Sequence, residues 1–575
     1  MSDIALQPAP AAPGRLAKLV PFDPSRLLWF GLAAVMIFLV VYPLWQIVSV
    51  SLHDGDGNFT FDNYATAFGR PRYIQSFINS LWLGVCACVL SLCFAVPISW
   101  GLARTDMPGK GFVWLGVIGA YVMPPFMGAI GWILLAGPNA GWLNRVFRSL
   151  SGMDMALLDI YTFSGLVFVV ALYSFPLVFV FVNAALELVS SEMEDAGAIL
   201  GASIWHVARR ITIPIVLPTI IGAAIIVFLE AVSLFGAPAL LGTPARISVV
   251  TTTLFEFFSN PVRIEVAAAY SMPLLLITVV LFLLQYWLIR RRGYVTQTGK
   301  GGERRMTKLG PWRWAFFAYG FGVVLLAVIL PMMIIVQAAL SKAWGRGFSL
   351  DNLTLNNFRY ILFDHSTAGQ TVLNSAMFSF WTATLAVTLT LLIAYIVNRK
   401  LVPFSGLLGF LAVTPFVIPG IVLAIGFYAA YAPPPLALYG TGLIMVLSFT
   451  TRFMPVAYIN AASSMRSLHP EMEEAVRILG GSRITAIRRV IAPLLKRSLA
   501  GAWLIVFIGA TRELSTAVLL YVGSTRTMSI MIYDLSEEGR FEQLSALGLV
   551  LVFATMVFVA IGFRVVGRDF MLKRS

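Results

Sequence analysis

Ionisable side chains are scarce in this chain: charged residues make up 12% of 575, with four histidines and three cysteines. Each shortage excludes something. His53, His206, His365 and His469 lie far apart in sequence, so they outline no metal or haem site and give a membrane oxidoreductase little support. Cys86, Cys88 and Cys93 all fall within one apolar run, where they read as small apolar residues rather than a disulfide framework, and no redox compartment follows. A phosphate loop is also missing. Gly299-Lys300 is followed by Gly301 where Ser or Thr is required, and no glycine stands five residues before Gly299, so an ATP site is rejected there. Residues 1–26, rich in Pro and Ala, lack a short apolar region with a cleavage site. The first apolar run is therefore read as an uncleaved anchor.

What the chain has in excess is apolar surface. At 59% hydrophobic residues it could not bury its side chains in a soluble core, which makes a multi-pass membrane protein the default. Twelve runs reach the length of about 20 mostly apolar residues that a bilayer requires. Six of them span 27–52, 77–103, 112–136, 160–186, 215–241 and 267–289. The other six span 314–340, 373–398, 404–432, 438–462, 496–521 and 545–566. The organisation expected is a tail over 1–26, a membrane domain over 27–289, a basic linker over 290–313 and a second membrane domain over 314–575. With the N-terminus inside, 28 of the 41 Lys and Arg fall in cytoplasmic segments, counting Lys496, Arg497 and Arg564 at span edges, which places both termini in the cytoplasm. The same distribution explains the net charge of +14 without nucleic acid, because the basic residues are dispersed along membrane edges.

The two halves repeat one another. Asn79 and Asn374, Arg104 and Arg399, Pro108 and Pro403, Gly111 and Gly406, Pro124 and Pro419, and Gly131 and Gly426 are each 295 residues apart. After about 16 extra residues in the outside loop near Asn139 to Ile160, the offset becomes 279. Such differences belong in loops, so the chain is an internal duplication of a six-helix unit.

The 279-residue register is clearest in two polar segments. Glu194, Asp195, Ala196, Gly197, Gly201, Ser203 and Arg209-Arg210, ending at Pro214, are answered by Glu473, Glu474, Ala475, Val476, Gly480, Ser482 and Arg488-Arg489, ending at Pro493. Ser191 and Glu194 fit a capping box that starts a short helix. Gly201 would end that helix in a left-handed turn, and Ser203 would cap a second short helix carrying Arg209 near its C-terminus. Pro214 suits the first turn of the next membrane helix. In the second copy Pro470, Gly480 and Ser482 repeat this plan. Amphipathic connectors are the plain reading of one such loop; two loops in one register point to a pair of docking elements.

These segments resemble the EAA loops of permease subunits of ATP-binding-cassette importers, whose pattern is Glu-Ala-Ala, three residues, Gly, nine residues, Ile, one residue, Leu-Pro. Gly197 and Val476 replace the second Ala, and Ala492 replaces the Leu. The resemblance implies an all-α integral membrane protein of twelve transmembrane helices, arranged as two homologous six-helix type I importer permease domains fused in one chain. It implies a coupling role for Glu194, Asp195, Ala196, Gly197, Gly201, Ser203, Arg209, Glu473, Glu474, Ala475, Gly480, Ser482 and Arg488. The implied partners are two copies of a cytoplasmic ATPase subunit, which would hold the ATP and magnesium, and an extracytoplasmic solute-binding protein. The setting implied is a bacterial inner membrane, with a transport subunit that is not itself an enzyme.

Four ionisable residues fall well inside expected spans, away from their edges: Glu230, Arg452, Arg512 and Glu513. Charges in hydrocarbon are costly, and three readings stay open: a translocation path or gate, interhelical pairing, or a position near the outer surface. Phe235 to Gly242, Arg292 to Thr296 and Glu513-Leu514-Ser515 are similar to ferric-iron type permeases, a group related to thiamine, phosphonate, sugar-phosphate and polyamine permeases. An ion-gradient-driven secondary transporter with twelve spans is the alternative class, and a non-transporting membrane scaffold is a third.

Overall fold

A computed structural model describes residues 24–189, 194, 196, 197, 199–258, 261–291, 306–364 and 366–567. Among these residues the regular structure is helical, apart from three isolated bridges. Among the described residues ten helices are long and apolar enough to cross a membrane. Those of the first half are Arg26–Ser51, Pro71–Arg104, Phe163–Leu188, Ile204–Ser233 and Ile264–Gln285. The second half contributes Trp312–Ala339, Ala368–Asn398, Gly442–Arg466, Ile487–Thr511 and Phe541–Val566. Two bent helix pairs bring the candidate spans to twelve.

Those bent pairs are the third span of each half, and here the structure departs from the straight runs expected over 112–136 and 404–432. Lys110–Val122 meets Pro125–Ala136 at 103°, and Ser405–Phe416 meets Gly420–Tyr431 at 114°. The cause is local. Pro124 and Pro419 both hold extended backbone, with ψ of 140° and 139°, and a proline drives its preceding residue out of helical geometry. The fifth spans also stop short of 241 and 521. Their helices end at Ser233 and Thr511, and separate turns, Pro238–Gly242 and Ala517–Leu520, follow.

Other prolines do not break their helices. Pro43 does not interrupt the first span, because Arg26–Ser51 runs through it. A five-residue π-turn, Ile37–Val41, ends two residues before Pro43. The same spacing recurs at Ala208–Thr212 before Pro214, Leu325–Ile329 before Pro331, and Ile487–Ile491 before Pro493. Widening the turn relieves the clash between a proline ring and the carbonyl four residues earlier. Pro214 stands in the first turn of the α-helical stretch Ile213–Ser233, as expected, and the π-turn joins that stretch to the short helix before it. Both lie inside Ile204–Ser233, whose first turns belong to the polar loop.

The halves exchange their first spans. A Cβ on Gly131 would lie 2.7 Å from Pro331 Cβ, and one on Gly426 would lie 2.9 Å from Ile47 Cδ1 and from the Pro43 carbonyl. Each first span therefore packs on the other half's third span, at the same glycine of the repeat. Tyr173 OH donates to the Ala327 carbonyl at 3.0 Å, and Tyr431 OH donates to the Phe38 carbonyl, closing the same exchange. In hydrocarbon, where apolar contact gives little net driving force, small residues that admit close approach and buried hydrogen bonds hold helices together.

Candidate coupling loops and intramembrane charges

Each polar loop ends its first short helix in the same way. Gly201 and Gly480 both adopt φ of +81°, with no atom within 4 Å of the point where a Cβ would stand, so the conformation and not crowding calls for glycine. Around Gly480, Gly481 N donates to the Val476 carbonyl at 2.9 Å and Gly480 N to the Arg477 carbonyl at 3.0 Å, the two bonds of a Schellman motif. In the first copy Ala202 N donates to the Gly197 carbonyl at 3.1 Å. A size exchange accompanies this. Val476 lies where a Cβ on Gly481 would approach to 2.6 Å, whereas the first copy has Gly197 and Ala202 at those two places.

The second short helices are capped as expected. Ser203 Oγ accepts from His206 N at 3.3 Å, and Ser482 Oγ from Thr485 N at 3.2 Å. Arg209, Arg210, Arg488 and Arg489 are exposed. Ser191 and Asp195 lie outside the described residues. Glu194, the other half of the expected capping box, has its carboxylate engaged elsewhere.

That engagement is a feature sequence reasoning missed. Arg104 Nη2 lies 2.5 Å from Glu194 Oε2, and Arg104 Nη1 donates to the Val189 carbonyl at 2.9 Å. Arg399 Nε lies 3.3 Å from Glu473 Oε2, and both Nη atoms of Arg399 reach the Leu468 carbonyl at 3.3 Å. Both pairs are nearly buried, with side-chain exposures of 5% and 12% in the first and 11% and 9% in the second. A hydroxyl completes each: Thr212 donates to Glu194 at 2.6 Å, and Tyr395 donates to Glu473. Glu473 and Glu474, adjacent in sequence, therefore part company, the first buried in this clamp and the second exposed with Ala475. The signal was present in the shared offset of Arg104 and Arg399.

Facing outward, just before each left-handed glycine, is an apolar pair. Ile199 and Leu200 are 85% and 87% exposed, and Ile478 and Leu479 are 84% and 87% exposed.

Within the membrane, the breaks in the third spans account for two charges. Arg512 Nη1 donates to the Tyr121 carbonyl at 2.6 Å and to the Val122 carbonyl at 3.3 Å, with its guanidinium 5.2 Å from the Tyr121 ring centroid. Arg452 Nη1 donates to the Ile418 carbonyl at 2.7 Å. The carbonyls left over at a helix end carry partial negative charge and need donors in hydrocarbon, and each arginine supplies both charge and donor. Glu230 lies within electrostatic reach of Arg512 and Arg452, beside Ser174. Glu513, by contrast, is engaged locally: its Oε1 accepts from Thr516 N at 2.9 Å and lies against Gly420. These charges are not duplicated. In the 279-residue register Tyr173, Ser233 and Gly509 stand opposite Arg452, Arg512 and Glu230. No group of three or more His, Cys, Asp or Glu suited to a metal ion occurs among the described residues.

Comparison with known proteins places this geometry. The family described as "Binding-protein-dependent transport system inner membrane component" matches twice, over residues 27–294 and 386–568. The chain is 27% identical over 557 residues to the ferric transport system permease protein FbpB of Actinobacillus pleuropneumoniae, covering 94% of this chain and 79% of that one. It is 26% identical over 528 residues to a putative ferric transport system permease protein FbpB of Haemophilus influenzae, covering 90% and 81%. A solved bacterial transporter involved in alginate import resembles 47% of this chain at 20% identity and a TM-score of 0.39, over 98% of its own chain. Two family matches that together take in most of the chain, on two halves that share one duplicated plan, establish that this multi-pass protein belongs to the inner-membrane permeases of binding-protein-dependent ATP-binding-cassette importers, whose ATPase is a separate component.

Proposed function

We propose that this chain is the fused permease of a ferric-iron importer, with both termini in the cytoplasm and one ATPase subunit docked on each polar loop. The observation that carries the docking reading is the repeated pair of bared apolar residues, Ile199-Leu200 and Ile478-Leu479, each presented by a left-handed glycine. A compact helix offering apolar side chains fits a cleft in a partner. In this reading the ATPase subunits close on ATP, draw the loops together and swing the two helix sets from inward-facing to outward-facing. An extracytoplasmic binding protein then delivers the solute.

Iron is supported by the similarity to ferric permeases along nearly the whole chain. Glu230 on the fifth span of the first half, Arg452 on the fourth span of the second half, and Arg512 and Glu513 just past the helix Ile487–Thr511 are the residues assigned to the route. Two arginines against one nearby glutamate also favour a second reading, an anionic solute such as a phosphonate. Uptake by the complete complex in proteoliposomes, with ferric iron and a phosphonate offered on matched binding proteins, separates the two. ATP-driven iron accumulation supports the first reading, and phosphonate accumulation without iron supports the second. Uptake that follows a proton gradient and ignores ATP contradicts both.

A further inference from the structure

We infer that Arg104 and Arg399 are positioning residues that carry the movement of each polar loop into the membrane helices. This rests on the docking reading above. The arrangement is the same three-point clamp in both halves. Each arginine stands at the cytoplasmic end of its second span: Arg104 is the last residue of the helix Pro71–Arg104, and Arg399 directly follows the helix Ala368–Asn398. Each holds the glutamate of the loop's first short helix, Glu194 or Glu473. Each also binds a carbonyl just past the fourth span, that of Val189, one residue after Phe163–Leu188, or of Leu468, two residues after Gly442–Arg466, and these too stand 279 residues apart.

A docked loop joined to its neighbours by apolar contact alone could slide, since such contact has no preferred direction. The charge-assisted hydrogen bonds of Arg104 to Glu194, and in the second half the ion pair of Arg399 with Glu473 together with the hydrogen bonds of Arg399 to the Leu468 carbonyl, fix direction as well as distance. Because both partners are nearly buried, separating them would strand a charge away from water, so the clamp stays shut while the loop moves. The loop, the second span and the end of the fourth span then travel as one body. The hydroxyl that completes the clamp differs between the halves. Thr212 comes from the helix that becomes the fifth span, whereas Tyr395 comes from the second span itself. Both copies preserve the satisfied carboxylate although the donor has moved from one helix to another, so it is the link that the duplication retains.

The experiment uses the complete complex in proteoliposomes and reads solute taken up per ATP hydrolysed, with ATPase co-purification as the check on assembly. Arg104→Gln and Arg399→Gln should each lower that ratio roughly tenfold while ATP hydrolysis continues, a size typical of coupling between sites. Arg104→Lys, which keeps the charge, should retain most of the ratio. The exchanged double variant Arg104→Glu with Glu194→Arg should recover uptake relative to either single variant. A normal ratio in both glutamine variants contradicts the inference. So does a double variant no better than the singles in a complex that still holds its ATPase. Loss of the docking reading looks different: there the ATPase would stay bound after Leu200 and Leu479 are made acidic, whatever the clamp does.

Discussion

Gly201 and Gly480 occupy the same left-handed turn, each at φ of +81° and 279 residues apart, and each follows directly on an exposed Ile-Leu pair in a polar loop. Nothing lies within 4 Å of the place where a side chain would go, so the requirement is on the backbone. Valine at either position should cost about 1–2 kcal/mol of local strain and reorient the apolar pair. Asparagine tolerates this conformation, so Gly480→Asn should keep coupling that Gly480→Val loses. The ratio of uptake to ATP hydrolysis checks this, and normal ratios in both valine variants would count against it.

Leu200→Asp combined with Leu479→Asp should release the ATPase subunits without disturbing the membrane fold, because both leucines are almost fully exposed. Co-purification from detergent reports the first effect, and an unchanged Tm of the isolated chain reports the second. Retention of both ATPase subunits would remove these residues from the interface.

Arg512→Met should impair uptake and lower stability. The substitution leaves the Tyr121 and Val122 carbonyls without their charged donor, at a typical cost of about 1.5–3 kcal/mol for a hydrogen bond to a charged group. A Tm and an uptake rate both equal to wild type would show that other donors serve the break in the third span.

The exchanged first spans give a packing prediction. Gly131→Leu and Gly426→Leu each force a side chain against the other half's first span, at Pro331 and at Ile47. Overpacking of this kind costs about 1–3 kcal/mol, and the two sites share none of the neighbours nearest to them, so their effects should add. Thermal unfolding of the two single variants and the double variant measures this. A Tm unchanged in all three would mean that the halves adjust to the added volume.

Much of the architecture was legible because a duplication writes each constraint twice. The glycines at 201 and 480, the serine caps and the twelve apolar runs all follow from position and residue type. The bends in the third spans were less visible, since hydropathy registers apolar length and ignores direction. Pro124 and Pro419 stand out in the sequence as a repeated pair, but the right-angle turn they impose does not. The π-turns were not visible in residue type: a widened turn just upstream of Pro43 and of Pro214 joins each proline's helix to the one before it. The Arg104–Glu194 and Arg399–Glu473 clamps stayed hidden for a different reason. Their members belong to segments with different offsets, 295 and 279, so only the folded chain brings the two registers together.

The most direct measurement of the central claim is site-specific cross-linking in the complete complex, with a photoreactive side chain at position 200, at position 479, or at both. One ATPase subunit should become attached through each single position and two through the double, and the attachment should survive in a complex that is hydrolysing ATP. An active complex that yields no ATPase adduct from either position would contradict the proposal that these two loops receive the force that drives transport.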